Sequence, residues 1–330
     1  MTGVVRDLRG AAPQILVLGI ILLMDRLAAP GFFDVSVRSG RLAGSLVDIL
    51  NRGAPVGLLA LGMAPVIATG GIDLSVGAVM AIAGAVMAVI VSHGGSWILG
   101  VACALAAGAA CGFWNGALIA GLGIKPFVAT LVLMVAGRGV AQLVTQGRIM
   151  TFAEPHLATL GGGAWLGLPV PTLILAAMTV LAVLAVRSGP AGLFIEAVGG
   201  NRRASRLAGV EAGAVTLLVY VASGLAAAIA GIIVASDISG ADANNAGLWF
   251  ELDAILAVAV GGGSLAGGRF SLSRAVLGAL AIQALKTGIL LTGLPPEFNL
   301  LVMAGAIVLV LCLQSPALRP LAVRLGERRA

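Results

Sequence analysis

Charged residues are scarce in this chain. Asp, Glu, Lys and Arg make up 10% of its 330 residues, whereas an average soluble domain carries about 25%. Aromatic residues reach only 4%, while 59% of the residues are hydrophobic and 48 are glycine. So little charge excludes a water-soluble globular protein, because this much apolar surface requires a bilayer as its solvent.

Lysine is nearly absent, and this excludes a nucleotide-binding P-loop. That motif needs a lysine in G-x-x-x-x-G-K-[ST], and neither Lys125 nor Lys286 lies in such a sequence. The stretch "GGGSLAGGR" (261–269) lacks the strand–helix setting of a phosphate loop, so we interpret it as a break and turn between two spans. No pairing of a nucleophile with a base is visible, and we predict a protein that is not an enzyme and has no catalytic residue.

Cysteine and histidine are also few. Cys103, Cys111 and Cys312 lie inside apolar segments, and His93 and His156 stand alone. Disulfides and metal sites need paired or clustered ligands, so we interpret the cysteines as core residues and predict no metal site. The net charge of +6 does not indicate nucleic-acid binding, because the basic residues are spread over many loops without interleaved aromatics.

Ten apolar stretches approach the roughly 20 residues that a membrane span needs. They cover 12–29, 53–70, 74–92, 97–120, 126–146, 170–187, 213–236, 252–267, 274–293 and 297–314. The predicted fold is therefore an all-α polytopic membrane protein of about ten transmembrane helices. The first stretch is interpreted as a retained span, because Asp25 and Arg26 interrupt the usual cleavage region of a signal peptide.

The basic residues favour an orientation with both termini inside. Thirteen Lys and Arg residues then fall on the cytoplasmic side and five fall outside, as the positive-inside rule requires. Residues 30–52 place three arginines on the wrong side and are predicted to be interfacial or re-entrant. A short sequence similarity between "GALIAGLGIKPF" (116–127) and "GILLTGLPPEFN" (288–299) is compatible with two inverted five-helix repeats.

The fourth predicted span has a face of small residues. Its members recur every four positions, at Gly100, Ala104, Gly108, Gly112 and Gly116. Small residues at this spacing let helix backbones approach closely. We expect this helix to lie in the crowded centre of the bundle.

The stretch "ATGGIDLSVG" places Asp73 inside an apolar region, where a charge at a helix centre costs about 2.5–3.5 kcal/mol. Gly70 and Gly71 predict a helix break, after which Asp73 caps the next helix by accepting an amide hydrogen from Ser75 or Val76. The carboxylate is expected near the cytoplasmic end of its span, within reach of water or loops. The alternative is that Gly70, Gly71, Asp73 and Ser75 form a hinge or inner gate.

The loop at 187–215 is the most basic segment between spans. Gly199 and Gly200 predict a flexible turn, and Asn201 is placed to cap a short helix after it. That helix carries Arg202, Arg203, Ala204 and Arg206. Its projection from the membrane suits docking of a soluble partner, and a solvated loop that only anchors the topology is the alternative.

Residues 236–253 combine Asp, Asn and Gly with Trp249 and Phe250, followed by Glu251 and Asp253 at the start of a span. Acidic residues in the first turn of a helix suit its dipole and its unpaired amides. A structural role for Glu251 and Asp253 is therefore one interpretation. External docking or sugar gating by Trp249, Glu251 and Asp253 is the other.

Three stretches together resemble one family. "ATGGIDLSVGAVMAIAG", "EAVGGNRRASRLAGV" and "ELDAILAVAVGGGSLAGGR" are similar to segments of the permease subunits of ribose-type sugar importers, which belong to the ATP-binding-cassette (ABC) transporters. The likeness extends over nearly the whole chain, including "KPFVATLVLMVAGRGVAQLVT". Through "GADANNAGLWFELDAILAV" and "GRLAGSLVDILNRGAPV" it points to galactofuranose as the sugar.

The resemblance implies a multi-subunit importer in the bacterial inner membrane. A periplasmic sugar-binding protein would deliver the sugar, and this chain and a second, non-identical permease would form the path. A cytoplasmic ATPase would bind ATP and Mg²⁺, so that no cofactor resides on this chain. The ATPase-coupling residues implied by the resemblance are Glu196, Gly199, Asn201, Arg202, Arg203 and Arg206.

The resemblance also implies that the fifth and tenth spans face the second permease and line the sugar path. On the fifth span one face carries Phe127, Thr130, Met134, Arg138 and Gln142. Trp114, Asn115, Phe298 and Asn299 are further candidates. Arg138 has a structural alternative, as the partner of a carboxylate or of backbone carbonyls, and Lys286 is interpreted as a packing or interface charge.

One permease domain is expected over 1–330, with a coupling loop at 188–213 and a basic C-terminal tail at 315–330. The alternatives are an ion-coupled secondary transporter and an ABC permease for ribose or another pentose or hexose. Ion coupling needs buried acids, whereas here the acids cluster at the ends of the predicted spans.

Overall fold

The structure is a computed structural model that describes residues 2–38, 41–293, 295 and 297–314. These residues form thirteen α-helices. The helices before the loop at 188 are α1 (Thr2–Ala28), α2 (Ser45–Ala68), α3 (Val76–Ser92), α4 (Trp97–Ala120), α5 (Pro126–Val144), α6 (Pro155–Gly162) and α7 (Val170–Arg187). The remaining helices are α8 (Ala191–Gly200), α9 (Arg202–Leu207), α10 (Ala212–Asp237), α11 (Phe250–Val260), α12 (Leu272–Leu291) and α13 (Phe298–Gln314).

Three short antiparallel strand pairs connect the helices. β1 (Ser36–Arg38) pairs with β2 (Arg41–Ala43), β3 (Met150–Thr151) with β6 (Gly240–Ala241), and β4 (Ala164–Trp165) with β5 (Leu168–Pro169). The amide of Leu42 donates to the carbonyl of Gly167 at 3.2 Å, and Arg41 donates to the carbonyl of Gly162 at 2.6 Å. These bonds hold the loops at the end of the bundle where α2 begins.

Each of the ten predicted spans contains a helix, and seven helices in the described residues are long and apolar enough to cross a membrane. The prediction of a span at 252–267 was wrong in extent, because α11 has only 11 residues and ends at Val260. The residues after it form turns, as predicted for "GGGSLAGGR". Within 30–52, the described residues form the paired strands β1 and β2 and the first turns of α2, which begins eight residues before the predicted span. The predicted tail at 315–330 lies outside the described residues.

The centre of the bundle is formed by α2, α3 and α10, and not by α4 as expected. In the apolar 18-residue window of α2, 72% of the residues are buried, whereas only 22% are buried in that of α4. The buried residues of α4 are its small-residue face together with Asn115 and Ile119. This helix therefore packs onto the centre by one face and leaves the rest of its surface exposed.

Close approach of backbones holds α4 against α10. A Cβ on Gly112 would overlap the carbonyl of Tyr220, and a Cβ on Gly224 would overlap the carbonyl of Gly108. On the other side of α10, a Cβ on Gly231 would overlap the carbonyl of Met80 in α3. Glycine is needed at these crossings because any side chain would push the two backbones apart.

Two glycines of α10 provide a matched test of this packing. Gly224→Ala should lower the free energy of unfolding by about 1–3 kcal/mol, the usual effect of overpacking. Gly213→Ala on the same helix should leave it unchanged or raise it slightly, since no atom lies within 4 Å of its Cβ position. The measurement is the thermal unfolding midpoint of each purified variant in detergent. Equal midpoints for the two variants would contradict the close-packed crossing.

Candidate functional site: the break between α2 and α3

The apolar run through α2 and α3 is interrupted by seven non-helical residues, 69–75. α2 ends at Ala68 because Gly70 adopts a φ of +81°, which a residue with a side chain rarely takes. The amide of Gly70 donates to the carbonyl of Ile67 at 2.9 Å, and that of Gly71 donates to the carbonyl of Val66 at 3.0 Å. This pair of bonds is a Schellman motif. The predicted break at these two glycines is therefore confirmed.

Asp73 is the polar centre of the break. Its Oδ1 accepts from the amide of Ser75 at 3.0 Å and from the Ser75 hydroxyl at 2.6 Å. Its Oδ2 accepts from the Ser223 hydroxyl of α10 at 2.8 Å. The predicted bond to the Ser75 amide is thus confirmed, but Asp73 is not the N-cap of α3, since the helix begins at Val76 and Ser75 occupies the capping position. Of the two expected surroundings, water and loops, the structure contains the second: Asp73 is only 2% exposed, and Ser75 of the connecting segment is one of its donors.

Two neighbouring helices also bond to this segment. Asn115 of α4 donates from Nδ2 to the Ser75 hydroxyl at 2.9 Å, so this fully buried amide belongs to the Asp73 network. The Thr130 hydroxyl of α5 lies 3.2 Å from the carbonyl of Ile72 and 3.0 Å from that of Pro126 in its own helix, so its single proton is shared between these acceptors. The break is therefore bonded to α4, α5 and α10 at once.

Tyr220 of α10 completes the surroundings of the break. It is fully buried, its hydroxyl has no partner among the described groups, and it lies where a Cβ on Gly71 would stand. The Oδ1 atom of Asn115 is likewise buried without a partner. Unpaired buried polar atoms are rare and costly, so this network contains acceptors and donors beyond those that the fold itself uses.

The predicted coupling loop at 188–213 contacts the end of α2, next to the break, through its backbone. Asn201 caps α9, as predicted, by accepting the amide of Ala204 at 2.9 Å. The predicted flexible turn at Gly199 and Gly200 was wrong, because both residues are helical and end α8. A Cβ on Gly199 would overlap the carbonyl oxygen of Ala68, the last residue of α2.

A third backbone closes this contact, which we call the glycine junction and define as Ala68, Gly199 and Gly268. The amide of Gly268 donates to the carbonyl of Ala68 at 2.9 Å. Gly267 and Gly268 have φ values of +91° and +94°, which bring the 261–271 loop close to the end of α2. The junction therefore joins α2, α8 and the turn after α11 directly beneath the break.

The remaining coupling candidates surround this junction. Glu196 accepts a long hydrogen bond, 3.5 Å, from the amide of Phe270. Arg203 and Arg206 are exposed and Arg202 is half-buried. Burial lowers the pKa of Arg202 from its ordinary value, and the neighbouring charge of Arg206 adds to that effect. The exposed surface of α9 is thus basic.

The predicted path residues on α5 do share a face, but three of them bond inside this chain. Thr130 binds the break, and Arg138 donates from Nη1 to the carbonyls of Ala243 and Ala246. Gln142 donates to Oδ1 of Asn244 at 2.9 Å. Phe127 is exposed and Met134 is half-buried. Arg138 therefore has the carbonyl partners that its structural alternative required.

The loop after β6, which Arg138 and Gln142 bind, is folded around Asp242. This carboxylate accepts from the amide of Asn244 at 3.0 Å and from the side-chain amide of Asn245 at 2.7 Å. The bond from Asn245 is the largest cause that lowers the pKa of Asp242 from its ordinary value. The loop is thus held by its own hydrogen bonds and is attached to the last turns of α5 by Arg138 and Gln142.

The three residues predicted to act in external docking or gating, Trp249, Glu251 and Asp253, differ in their exposure and partners. Trp249 is 54% exposed and takes a left-handed φ of +67° just before α11. Glu251 and Asp253 lie in the first turn of α11, as expected. Asp253 is buried and forms an ion pair with Lys286 of α12, whose ammonium lies 5.8 Å from the ring centroid of Phe250. Lys286 is thus a packing charge, as interpreted.

The other three path candidates do not converge on the break. Trp114 lies on the exposed face of α4, opposite Asn115. Phe298 is exposed at the start of α13, and Oδ1 of Asn299 is buried without a partner. Sequence reasoning missed Ser223 and Tyr220, which lie about 150 residues beyond Asp73 and carry no local signal of their contact with it.

Comparison with known proteins identifies relatives over most of the chain. Residues 45–311 match the sequence model of a family described as branched-chain amino acid transport system / permease component. The galactofuranose transporter permease protein of Escherichia coli (strain K12) is 58% identical over 303 residues, which cover 92% of this chain and 89% of the relative. No solved structure matches the chain significantly.

Two further relatives are named for other sugars. The fructose import permease protein of Bifidobacterium longum (strain NCC 2705) is 38% identical over 297 residues, covering 88% of this chain and 83% of the relative. The ribose import permease protein of Escherichia coli (strain K12) is 36% identical over 300 residues, covering 90% of this chain and 91% of the relative.

Substitution of Asp73 tests its network. Asp73→Leu removes the acceptor from three donors, and each buried group left unpaired costs about 1–3 kcal/mol, so we expect a large fall in the thermal unfolding midpoint. Asp73→Asn should stay close to the wild type, because its Oδ1 still accepts from Ser75 and its Nδ2 can donate to the Ser223 hydroxyl. Asp48→Leu, on the exposed side of α2, is the control. A midpoint for Asp73→Leu equal to that of the control would show that the network does not stabilise the fold.

Proposed function

The chain belongs to the family described as branched-chain amino acid transport system / permease component, and we propose that it is the permease subunit of an ATP-driven importer for galactofuranose. It is a multi-pass protein of the bacterial inner membrane, since it combines permease homology with seven spanning helices. The proposal follows from the 58% identity to a galactofuranose permease over 92% of the chain. The family's description names amino acids, but all three relatives compared above are named as sugar permeases.

Such an importer divides its work among several chains. In our proposal, a cytoplasmic ATPase binds ATP and Mg²⁺, a periplasmic protein delivers the sugar, and a second, non-identical permease shares the path. This chain is one permease domain of about ten spans with both termini inside and two inverted five-helix repeats. The basic, exposed surface of α9 then lies in the cytoplasm, where it can meet the ATPase.

The glycine junction provides a route by which the ATPase can act on the membrane part. α8 ends against Ala68, the last residue of α2, and the break begins at the next residue. Ile72 in the break accepts from Thr130 of α5. A displacement of α8 would therefore reach α5 through the end of α2, the break and the hydrogen bond of Thr130.

The break is suited to act as the hinge of this movement. Its seven residues continue neither α2 nor α3, and the Asp73 network fixes their position through hydroxyl and amide groups that can exchange partners. Hinges are commonly a few residues at the ends of elements that absorb a backbone change. We infer that Gly70, Gly71, Asp73 and Ser75 form this hinge, at the inner end of a path lined by the face of α5.

Uptake in reconstituted vesicles tests the function directly. Vesicles that contain this permease with its companion permease, ATPase and binding protein should accumulate labelled galactofuranose only when ATP is enclosed. The panel should also include ribose, fructose and a branched-chain amino acid. Accumulation of leucine instead of a sugar would replace the proposed substrate, and uptake that follows an ion gradient without ATP would refute the importer itself.

Two adjacent glycines test the coupling route. Gly199→Ala places a Cβ on the Ala68 carbonyl, so we expect the assembled importer to hydrolyse ATP but to lose at least tenfold in sugar uptake. Gly200→Ala is the matched control, because no atom lies within 4 Å of its Cβ position. Uptake and ATP hydrolysis should be measured on the same vesicles. Wild-type uptake by Gly199→Ala would exclude the junction as the coupling route.

A further inference from the structure

A pocket of about 270 Å³ lies at the opposite end of α2 from the break. It is enclosed by the beginnings of α2, α7 and α11, the ends of α6 and α10, and the later part of α12. Asn51 in its wall lies 17 residues before Ala68, which corresponds to about 25 Å along the helix. None of its lining residues belongs to α3, α4 or α5, so it is separate from the break and from the face of α5.

The pocket offers hydrogen-bonding groups that the fold does not use. Oδ1 of Asn51 is buried and accepts from no described group. Gln283 is only 8% exposed, and its Nε2 makes one long bond, 3.4 Å, to the Thr287 hydroxyl. A buried acceptor without a donor is destabilising, and rotation of the Asn51 amide about its terminal torsion would turn it into the pocket, where a ligand hydroxyl can donate to it.

The charges around the pocket cancel. Arg52 and Lys286 in the wall are positive, and Asp237 in the wall is negative. Asp253, immediately behind the wall, neutralises Lys286 through their ion pair. A site with this balance does not select for an anion or a cation, and it favours a neutral polar molecule.

The pocket also has apolar lining residues. Phe250, Pro55 and Pro171 are among them, together with the polar Asn51 and Gln283. Small-molecule sites usually combine apolar walls with a few placed polar groups, and those for drug-sized ligands measure about 300–1,000 Å³. The pocket is slightly smaller than this range and suits a molecule of a few hydroxyl groups around a compact ring.

We propose that this pocket is a binding subsite for a neutral monosaccharide within this permease, apart from the path along α5. The inference rests on the proposed sugar import, and it deepens it by placing a sugar contact at the outer end of the chain. Asn51 and Gln283 bind hydroxyl groups, Phe250 contacts the apolar face of the ring, and Arg52 and Asp237 lie at the rim.

Protection of an introduced cysteine tests the subsite. Val234→Cys places a thiol in the pocket wall, and Ala158→Cys places one on the exposed side of α6, outside the pocket. Labelling by a neutral maleimide should be measured on the complete importer in lipid discs, with the wild-type chain as the background. Methyl galactofuranoside should slow labelling of Val234→Cys and leave that of Ala158→Cys unchanged.

Two additions sharpen the test. Asn51→Leu removes an acceptor that has no bond in the fold, so combined with Val234→Cys it should raise the sugar concentration for half-protection at least tenfold. Methyl galactofuranosiduronate, which differs from the probe only by a carboxylate at C6, should protect poorly. Labelling of Val234→Cys that no sugar slows, or equal protection by this anion, would overturn the subsite.

The uptake assay separates this outcome from failure of the proposed function. Wild-type vesicles that import galactofuranose while Val234→Cys is not protected would refute the subsite alone. Wild-type vesicles that import no sugar would refute the proposed function and, with it, the reason to expect a sugar in the pocket.

Discussion

Non-helical backbone inside an apolar bundle must find its hydrogen bonds within the protein, because lipid supplies none. The seven residues between α2 and α3 meet this constraint in two ways. The Schellman bonds of Gly70 and Gly71 use the last carbonyls of α2, and the carboxylate of Asp73 accepts from Ser75 and from Ser223. The break therefore draws α4, α5 and α10 together, and the arrangement of the central helices depends on it.

The small residues of α4, α8 and α10 have a related role. Where two backbones touch, as at Gly112 with Tyr220 and at Gly199 with Ala68, any side chain would push the two helices apart. At the end of the bundle where α2 begins, the contacts are of another kind. The ion pair between Asp253 and Lys286 is largely buried, and such pairs contribute little net stability unless their geometry is good. Its clearer consequence is that it leaves the neighbouring pocket electrically neutral.

Local features of the fold could be predicted well. Apolar runs located a helix in each of the ten stretches, and Gly70, Gly71 and Asn201 marked helix ends that the structure contains. The errors arose where a local pattern had two meanings. The pair Gly199 and Gly200 predicted a turn, yet both residues are helical and end α8. Gly199 is needed there because its close contact with Ala68 leaves no room for a side chain. The run at 252–267 is mostly apolar, but its glycines end α11 after 11 residues.

The sequence by itself determined the membrane class, the helix ends at Gly70 and Asn201 and the local bond from Asp73 to the Ser75 amide, because these depend on composition and on residues a few positions apart. Only the tertiary structure decided which groups meet across the chain. Ser223 reaches Asp73 over 150 residues, Arg138 reaches Ala246 over 108, and Lys286 reaches Asp253 over 33. Such partners follow from helix packing, which brings distant residues within bonding distance, and no periodicity in the sequence encodes that distance.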